Sequence, residues 1–262
     1  MTATSSTAPP PKPLRIAVLE ADFPLDGTAA KYGSYGGVFG SLLTKAASAL
    51  GWDASQHLQV SHYDVSRNQL FPQSLDDLDA ILITGSRANA FDNIPWIVQL
   101  VDYTRNVLTT QTRVRVIGVC FGHQIISRAL GCEVVRSEIG WEASVCPVPL
   151  NEHGSQLFEG KKTLNIFQMH RDIVTAVPKG AVNIGATDRC SIQGLYSPGK
   201  FISVQGHPEF TDEIVTEILT SRHDLGVFTD EEYGDMMGRV ENEHDGVVIA
   251  KAFLRFVVEG LE

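Results

Sequence analysis

Long apolar runs are missing from this sequence: nothing approaches the roughly 18 residues that a membrane-spanning helix needs. Cysteine is sparse. Cys120, Cys132, Cys146 and Cys190 form no CxxC pair and no zinc-type spacing, which argues against a disulfide scaffold and a structural metal. A reduced protein of the cytoplasm is the expectation. Basic clusters are absent too. Lys and Arg number 21 against 31 Asp and Glu, a net charge of -10, so the chain gains nothing from neutralising phosphates and nucleic acid is not an expected partner. The N-terminus, MTATSSTAPPPKPLR, lacks the apolar core of a secretory signal and the repeated arginines of a transit peptide. Its Ser, Thr, Ala and Pro content predicts a disordered tail over residues 1–13, followed by one domain over 14–262.

What is present suits an α/β fold. Hydrophobic residues make up 43% of the 262 positions, enough to fill one sizeable core. LRIAVL (14–19), residues 57–65, DAILIT (79–84) and VRVIGV (114–119) read as buried strands. The glycine-rich stretch 22–40 reads as a long loop running into a helix at 38–50, and residues 97–108 carry apolar side chains at helical spacing. Strands alternating with helices predict a mostly parallel sheet covered on both faces. From 133 to 205 the pattern changes to short strands divided by Gly and Pro turns, a β-rich extension of the same sheet. Residues 211–262 read as helices, with Thr229 and Glu232 spaced as a capping box.

The chemistry concentrates at VIGVCFGHQIISRAL, residues 116–130. A β-branched strand ends at Cys120 and a helix starts within two residues. Gly118 and Gly122 flank the cysteine, giving G-x-C-x-G, the thiol form of a nucleophile elbow. Small neighbours let strand and helix approach on a strained turn, and a helix N-terminus behind the sulfur favours the thiolate. The amide of Phe121 would face a developing oxyanion. The competing reading is an ordinary buried cysteine, the common fate of free thiols; the strand–turn–helix context favours the nucleophile. The other three cysteines lack that context.

A thiol nucleophile needs a histidine base and an acceptor to orient it. Of eight histidines, His207 in ISVQGHPEF (202–210) follows an apolar strand on a turn, at the kind of sheet edge where ligands bind. Glu209 can fold back toward the imidazole, and Pro208 stiffens the link. His123, on the first helical turn after Cys120, is expected to point away. No third ligand stands at a recognisable spacing, so neither metal nor cofactor is expected.

GVCFGHQ (118–124) and GHPEF (206–210) resemble the two signature motifs of class I glutamine amidotransferases, and ITGS (83–86) resembles that family's oxyanion strand. The likeness covers about residues 14–220. It implies a flavodoxin-like fold and hydrolysis of a γ-glutamyl amide through a thioester on Cys120, with His207 and Glu209 completing a triad. It further implies that Gly85 and Phe121 form the oxyanion hole. Gln124 would hold the substrate's amino-acid end, and Met169 and His170 of QMHRD its α-carboxylate; for His170 a packing or turn role is equally open. The family's usual partner is a synthetase subunit that accepts the ammonia. RSEIGWE (136–142) and the lack of a fused synthetase look more like a stand-alone subgroup, GMP-synthase-glutaminase-like or γ-glutamyl peptidase-like. The peptidases take glutathione-like conjugates instead of glutamine. Two rivals of another class are a non-catalytic regulator on the same fold and a redox sensor using the elbow cysteine.

Overall fold

A computed structural model describes residues 7–258. Residues 1–6 of the expected tail, and 259–262, lie outside the described residues. At Thr7 the backbone carbonyl accepts a hydrogen bond from the Trp52 indole at 3.0 Å.

The strands are β1 (Leu14–Glu20), β2 (Leu58–Asp64), β3 (Ala80–Ile83), β4 (Arg115–Val119), β5 (Val134–Arg136), β6 (Glu142–Pro149), β7 (Thr163–His170), β8 (Asp172–Val174), β9 (Val182–Asn183), β10 (Gly194–Ser197) and β11 (Phe201–Val204). The helices are α1 (Asp26–Tyr32), α2 (Tyr35–Ala49), α3 (Ala54–His57), α4 (Pro95–Thr110), α5 (Phe121–Ala129), α6 (Glu152–Leu157), α7 (Asp212–Asp224), α8 (Asp230–Met237) and α9 (Gly246–Val258). The central sheet has seven strands in the order β2-β1-β3-β4-β11-β10-β9. Neighbours from β2 to β11 run parallel, and β10 and β9 add antiparallel pairs.

The strand period of two divides the core between the sheet's faces. Leu14, Ile16 and Val18 of β1 pack on Phe39 and Leu43 of α2 and on Phe253 and Leu254 of α9. Ala17 and Leu19 point the other way, toward Ile97 and Leu100 of α4 and Phe121 and Ile125 of α5. Both faces are covered, so β3 reads as an unbroken apolar run and β4 as one after its first residue, Arg115.

The glycine-rich stretch 22–40 is not a loop. It holds α1 and the start of α2. The groups that satisfy these helix starts come largely from distant sequence. Glu217 of α7 accepts from the Gly27 and Thr28 amides at 2.7 and 2.9 Å, and Glu20 of β1 accepts from the Gly36 amide at 2.6 Å. Carboxylates at helix N-termini satisfy orphan donors and oppose the dipole. The β-rich second half extends the main sheet only in part. β9, β10 and β11 join it, whereas β6–β7 and β5–β8 are separate two-stranded sheets. The capping box at Thr229 and Glu232 is present. No described helix is long and apolar enough to cross a membrane.

Candidate active site

Three adjacent parallel strands end at one edge of the sheet. β3 leads into Gly85, β4 into Cys120 and β11 into His207, so residues 35 and 87 positions apart in sequence meet in space. Cys120 sits at φ 51, ψ -102, between β4 and α5. A non-glycine residue held at positive φ costs of order 1–3 kcal/mol, so the surroundings must enforce the turn. Its amide donates to the Val204 carbonyl at 2.9 Å and its carbonyl accepts from the Gln124 amide at 3.1 Å. The close crossing behind it tolerates no side chain at Gly122, where a Cβ would stand 2.2 Å from the Ile83 carbonyl oxygen. Gly85 adjoins both partners: a Cβ there would lie 2.7 Å from His207 Cε1 and 3.7 Å from Cys120 Cβ.

His207 is fixed from three sides. Its amide donates to the Phe167 carbonyl at 2.7 Å. Its ring stacks on Phe210 at 4.0 Å between centroids. Nδ1 donates to Glu209 Oε1 at 2.8 Å. Burial alone would depress this imidazole, but the charges of Cys120 and Glu209 outweigh it and push its pKa up to about 10. Glu209 Oε2 is buried and without a hydrogen-bond partner among the described residues. His123 is fully buried with Nδ1 2.8 Å from Ser203 Oγ, and burial, with nearby His170, pushes it down to about 3. It stays neutral at physiological pH.

The remaining expected residues divide. Met169 lines a cavity of about 100 Å³ together with Gly85, His207 and Glu209. Phe121 follows Cys120 as the first residue of α5. Gln124 is buried, and its Nε2 donates to the Asp172 carbonyl at 2.9 Å and to Gln205 Oε1 at 3.1 Å. His170 does not line that cavity. Its Nε2 stands 3.0 Å from Glu142 Oε2.

That contact belongs to a second group of the same three residue types. The ligating atoms of Glu142, His170 and Cys190, all buried, lie within 4.8 Å of one another. Thr187 Oγ1 and Gln193 Nε2 each donate to the Glu142 carboxylate at 2.7 Å. Burial works against that carboxylate, and His170, Thr187 and Gln193 outweigh it and hold it below its usual range. Burial, with the Glu142 charge adding, pushes the Cys190 thiol up to about 12. These positions are scattered over 48 residues, so no spacing signals them. A cleft of about 1180 Å³ touches Glu142 but includes neither Cys120 nor His207.

Several groups at the Cys120 edge have no sequence motif. Gln205 Nε2 donates to Cys120 Sγ at 3.6 Å; its place two residues before His207 at the end of β11 is the one signal that could have flagged it. Asp22, Tyr35, Arg87 and Arg222 also line the cavity, brought there by α2, α7 and the turns after β1 and β3.

The chain is similar to known proteins over most of its length. A family model for glutamine amidotransferase class-I matches residues 39–220. A glutamine amidotransferase-like protein of Schizosaccharomyces pombe is 35% identical over 247 residues, covering 93% of this chain and 98% of the relative. Gamma-glutamyl peptidase 2 of Arabidopsis thaliana is 29% identical over 225 residues, covering 83% and 84%. The crystal structure of a glutamine amidotransferase from Thermotoga maritima superposes with a TM-score of 0.71 at 16% identity over 93% of this chain and 98% of that one, a likeness of fold.

Proposed function

Because the chain belongs to the class I glutamine amidotransferase family, we propose that it hydrolyses a γ-glutamyl amide through a thioester on Cys120. The observation that carries this reading is the strained Cys120 elbow beside an imidazole whose Nδ1 is tied to Glu209. Cys120 Sγ attacks the γ-carbonyl carbon, and the amides of Gly85 and Phe121 receive the oxyanion. Collapse breaks the C–N bond as His207 Nε2 gives its proton to the leaving nitrogen. Water then attacks the thioester, His207 takes back a proton, the C–S bond breaks and glutamate departs. Glu209 holds the imidazole in the tautomer with Nδ1 protonated. Gln124, Met169 and His170 are the groups assigned to the substrate's amino-acid end, His170 through its backbone because its ring is engaged with Glu142.

The leaving group separates two versions of this activity. An amidotransferase subunit would deliver ammonia from glutamine to a synthetase. A peptidase would release an amino compound, and relatives named as gamma-glutamyl peptidases support that version. The test is acid-quenched intact-protein mass spectrometry with glutamine and a γ-glutamyl dipeptide. One γ-glutamyl adduct should form on the native protein and be absent from Cys120→Ala. An adduct that persists in that variant, or hydrolysis without Cys120, rejects the reading.

A further inference from the structure

We propose that Arg222 is a carboxylate-binding residue that selects γ-glutamyl peptides whose leaving group carries a free C-terminal carboxylate. The proposal rests on the hydrolytic reading of Cys120. Arg222, on α7, lines the same cavity as His207 and Gly85. Its Nη1 is buried and donates to nothing among the described residues. Its guanidinium lies over the Trp141 ring, 4.5 Å from the centroid, and forms no ion pair among the described residues. Asp22 clasps Arg87 through both oxygens at 2.8 and 2.9 Å. Glu209 accepts from His207 through Oε1, and its Oε2 has no hydrogen-bond partner among the described residues, so it does not complete Arg222 either. Among the described residues Arg222 is thus a cavity cation without an ion pair.

A partly buried guanidinium without an ion pair is stabilised when something anionic completes it. Its planar fork matches a carboxylate in two parallel hydrogen bonds. His207 must protonate the leaving nitrogen, and His207 and Arg222 line one cavity, which places Arg222 within reach of the leaving group. Phe23, Ile218 and Leu225 line that cavity too and suit the side chain of an amino-acid leaving group. Ammonia has no carboxylate, so Arg222 offers glutamine nothing at this position.

Arg222 also lies in the electrostatic field of Cys120. A role confined to supporting the thiolate would affect every substrate alike. The experiment compares kcat/KM for γ-glutamyl-alanine, γ-glutamyl-alaninamide and glutamine, in the native protein and in Arg222→Gln. The free acid should exceed its amide by about tenfold or more in the native protein, and the ratio should fall to within about twofold of one in the variant. A native ratio near one overturns the proposal and needs no variant. Equal losses for all three substrates in Arg222→Gln also overturn it, and assign Arg222 to the thiolate or to the shared α-carboxylate. Calorimetric titration of Cys120→Ala with the two peptides separates this outcome from failure of the hydrolytic reading. Tighter binding of the free acid supports the subsite even if no turnover is found, and equal affinity rejects it.

Discussion

Cys120, His207 and Glu209 form one group of thiol, imidazole and carboxylate; Cys190, His170 and Glu142 form another. In the first, Glu209 meets only the imidazole, the imidazole feels the sulfur on its other side, and the sulfur sits on a strained turn before a helix. In the second, Glu142 is saturated by Thr187, Gln193 and His170, while Cys190 Sγ turns to the Ile192 carbonyl at 3.3 Å. Residue types therefore do not make a triad. What differs is direction: the first group leaves a protonated imidazole facing the sulfur, whereas in the second the carboxylate is held by Thr187 and Gln193 and the thiol turns away to Ile192 and stays protonated.

The widest separation should come from the sulfurs. Cys120→Ser should lower glutamate release by about a thousandfold or more, whereas Cys190→Ser should stay within roughly threefold of native. Comparable losses at both positions would erase the contrast. The carboxylates come next. Glu209→Gln should lower kcat by about a hundredfold or more with little change in KM. It should also move the alkaline limb of the pH profile. Native His207 is pushed up to about 10, so the acid it supplies is lost as pH rises through that value. Removing one of the two charges that hold it there shifts the limb to lower pH. The same raised value gives stability that is full below the ordinary histidine range and lost as pH climbs through about 10.

Glu142→Gln should act on stability more than on rate, by about 1–3 kcal/mol in denaturant unfolding, because it removes a buried partner of His170. The Glu142 carboxylate is held below its usual range, so its contribution is present above the unfolded carboxylate value and lost as pH falls through the folded one. Alkylation sharpens the contrast without a mutation. Iodoacetamide at neutral pH should label Cys120 in the native protein, and Cys190 only after unfolding, by peptide mapping; early labelling of Cys190 would contradict its raised pKa. The smallest effect is expected where neither group is touched. Removing residues 1–12 deletes the Thr7 contact to Trp52 and should cost about 0.5–1.5 kcal/mol, with unchanged activity.

The first group was legible in the sequence because each member ends a strand or follows a turn with glycine neighbours, and such turns leave a local signature. The buried strands were legible for the same reason: residues covered on both faces are apolar throughout. The second group was not, since Glu142, His170 and Cys190 are joined only by folding. Helix α1 escaped as well. Its start is satisfied by Glu217, 190 residues from Gly27, so local glycine content outweighed a capping group that the sequence could not place. Arg222 was invisible because its oddity, a cavity-lining cation with no ion pair among the described residues, shows only in three dimensions.

The edge that carries Gly85, Cys120 and His207 is formed by the ends of β3, β4 and β11. The amide of Cys120 is bonded to Val204 and that of His207 to Phe167, so both are locked into strand partners. Exchange of the Cys120 amide with solvent deuterium therefore requires its parting from the end of the central β11, and that of the His207 amide its parting from β7. The wall that bears Arg222 is built differently. It hangs on α7, which is tied to α1 through the Glu217 carboxylate and to β6 through α8. Protonating that one carboxylate would loosen the wall while leaving Cys120 and His207 in place. On the proposed reading, bond cleavage is assigned to residues at strand ends and substrate choice to a residue on α7, so the two are held by different elements of the fold.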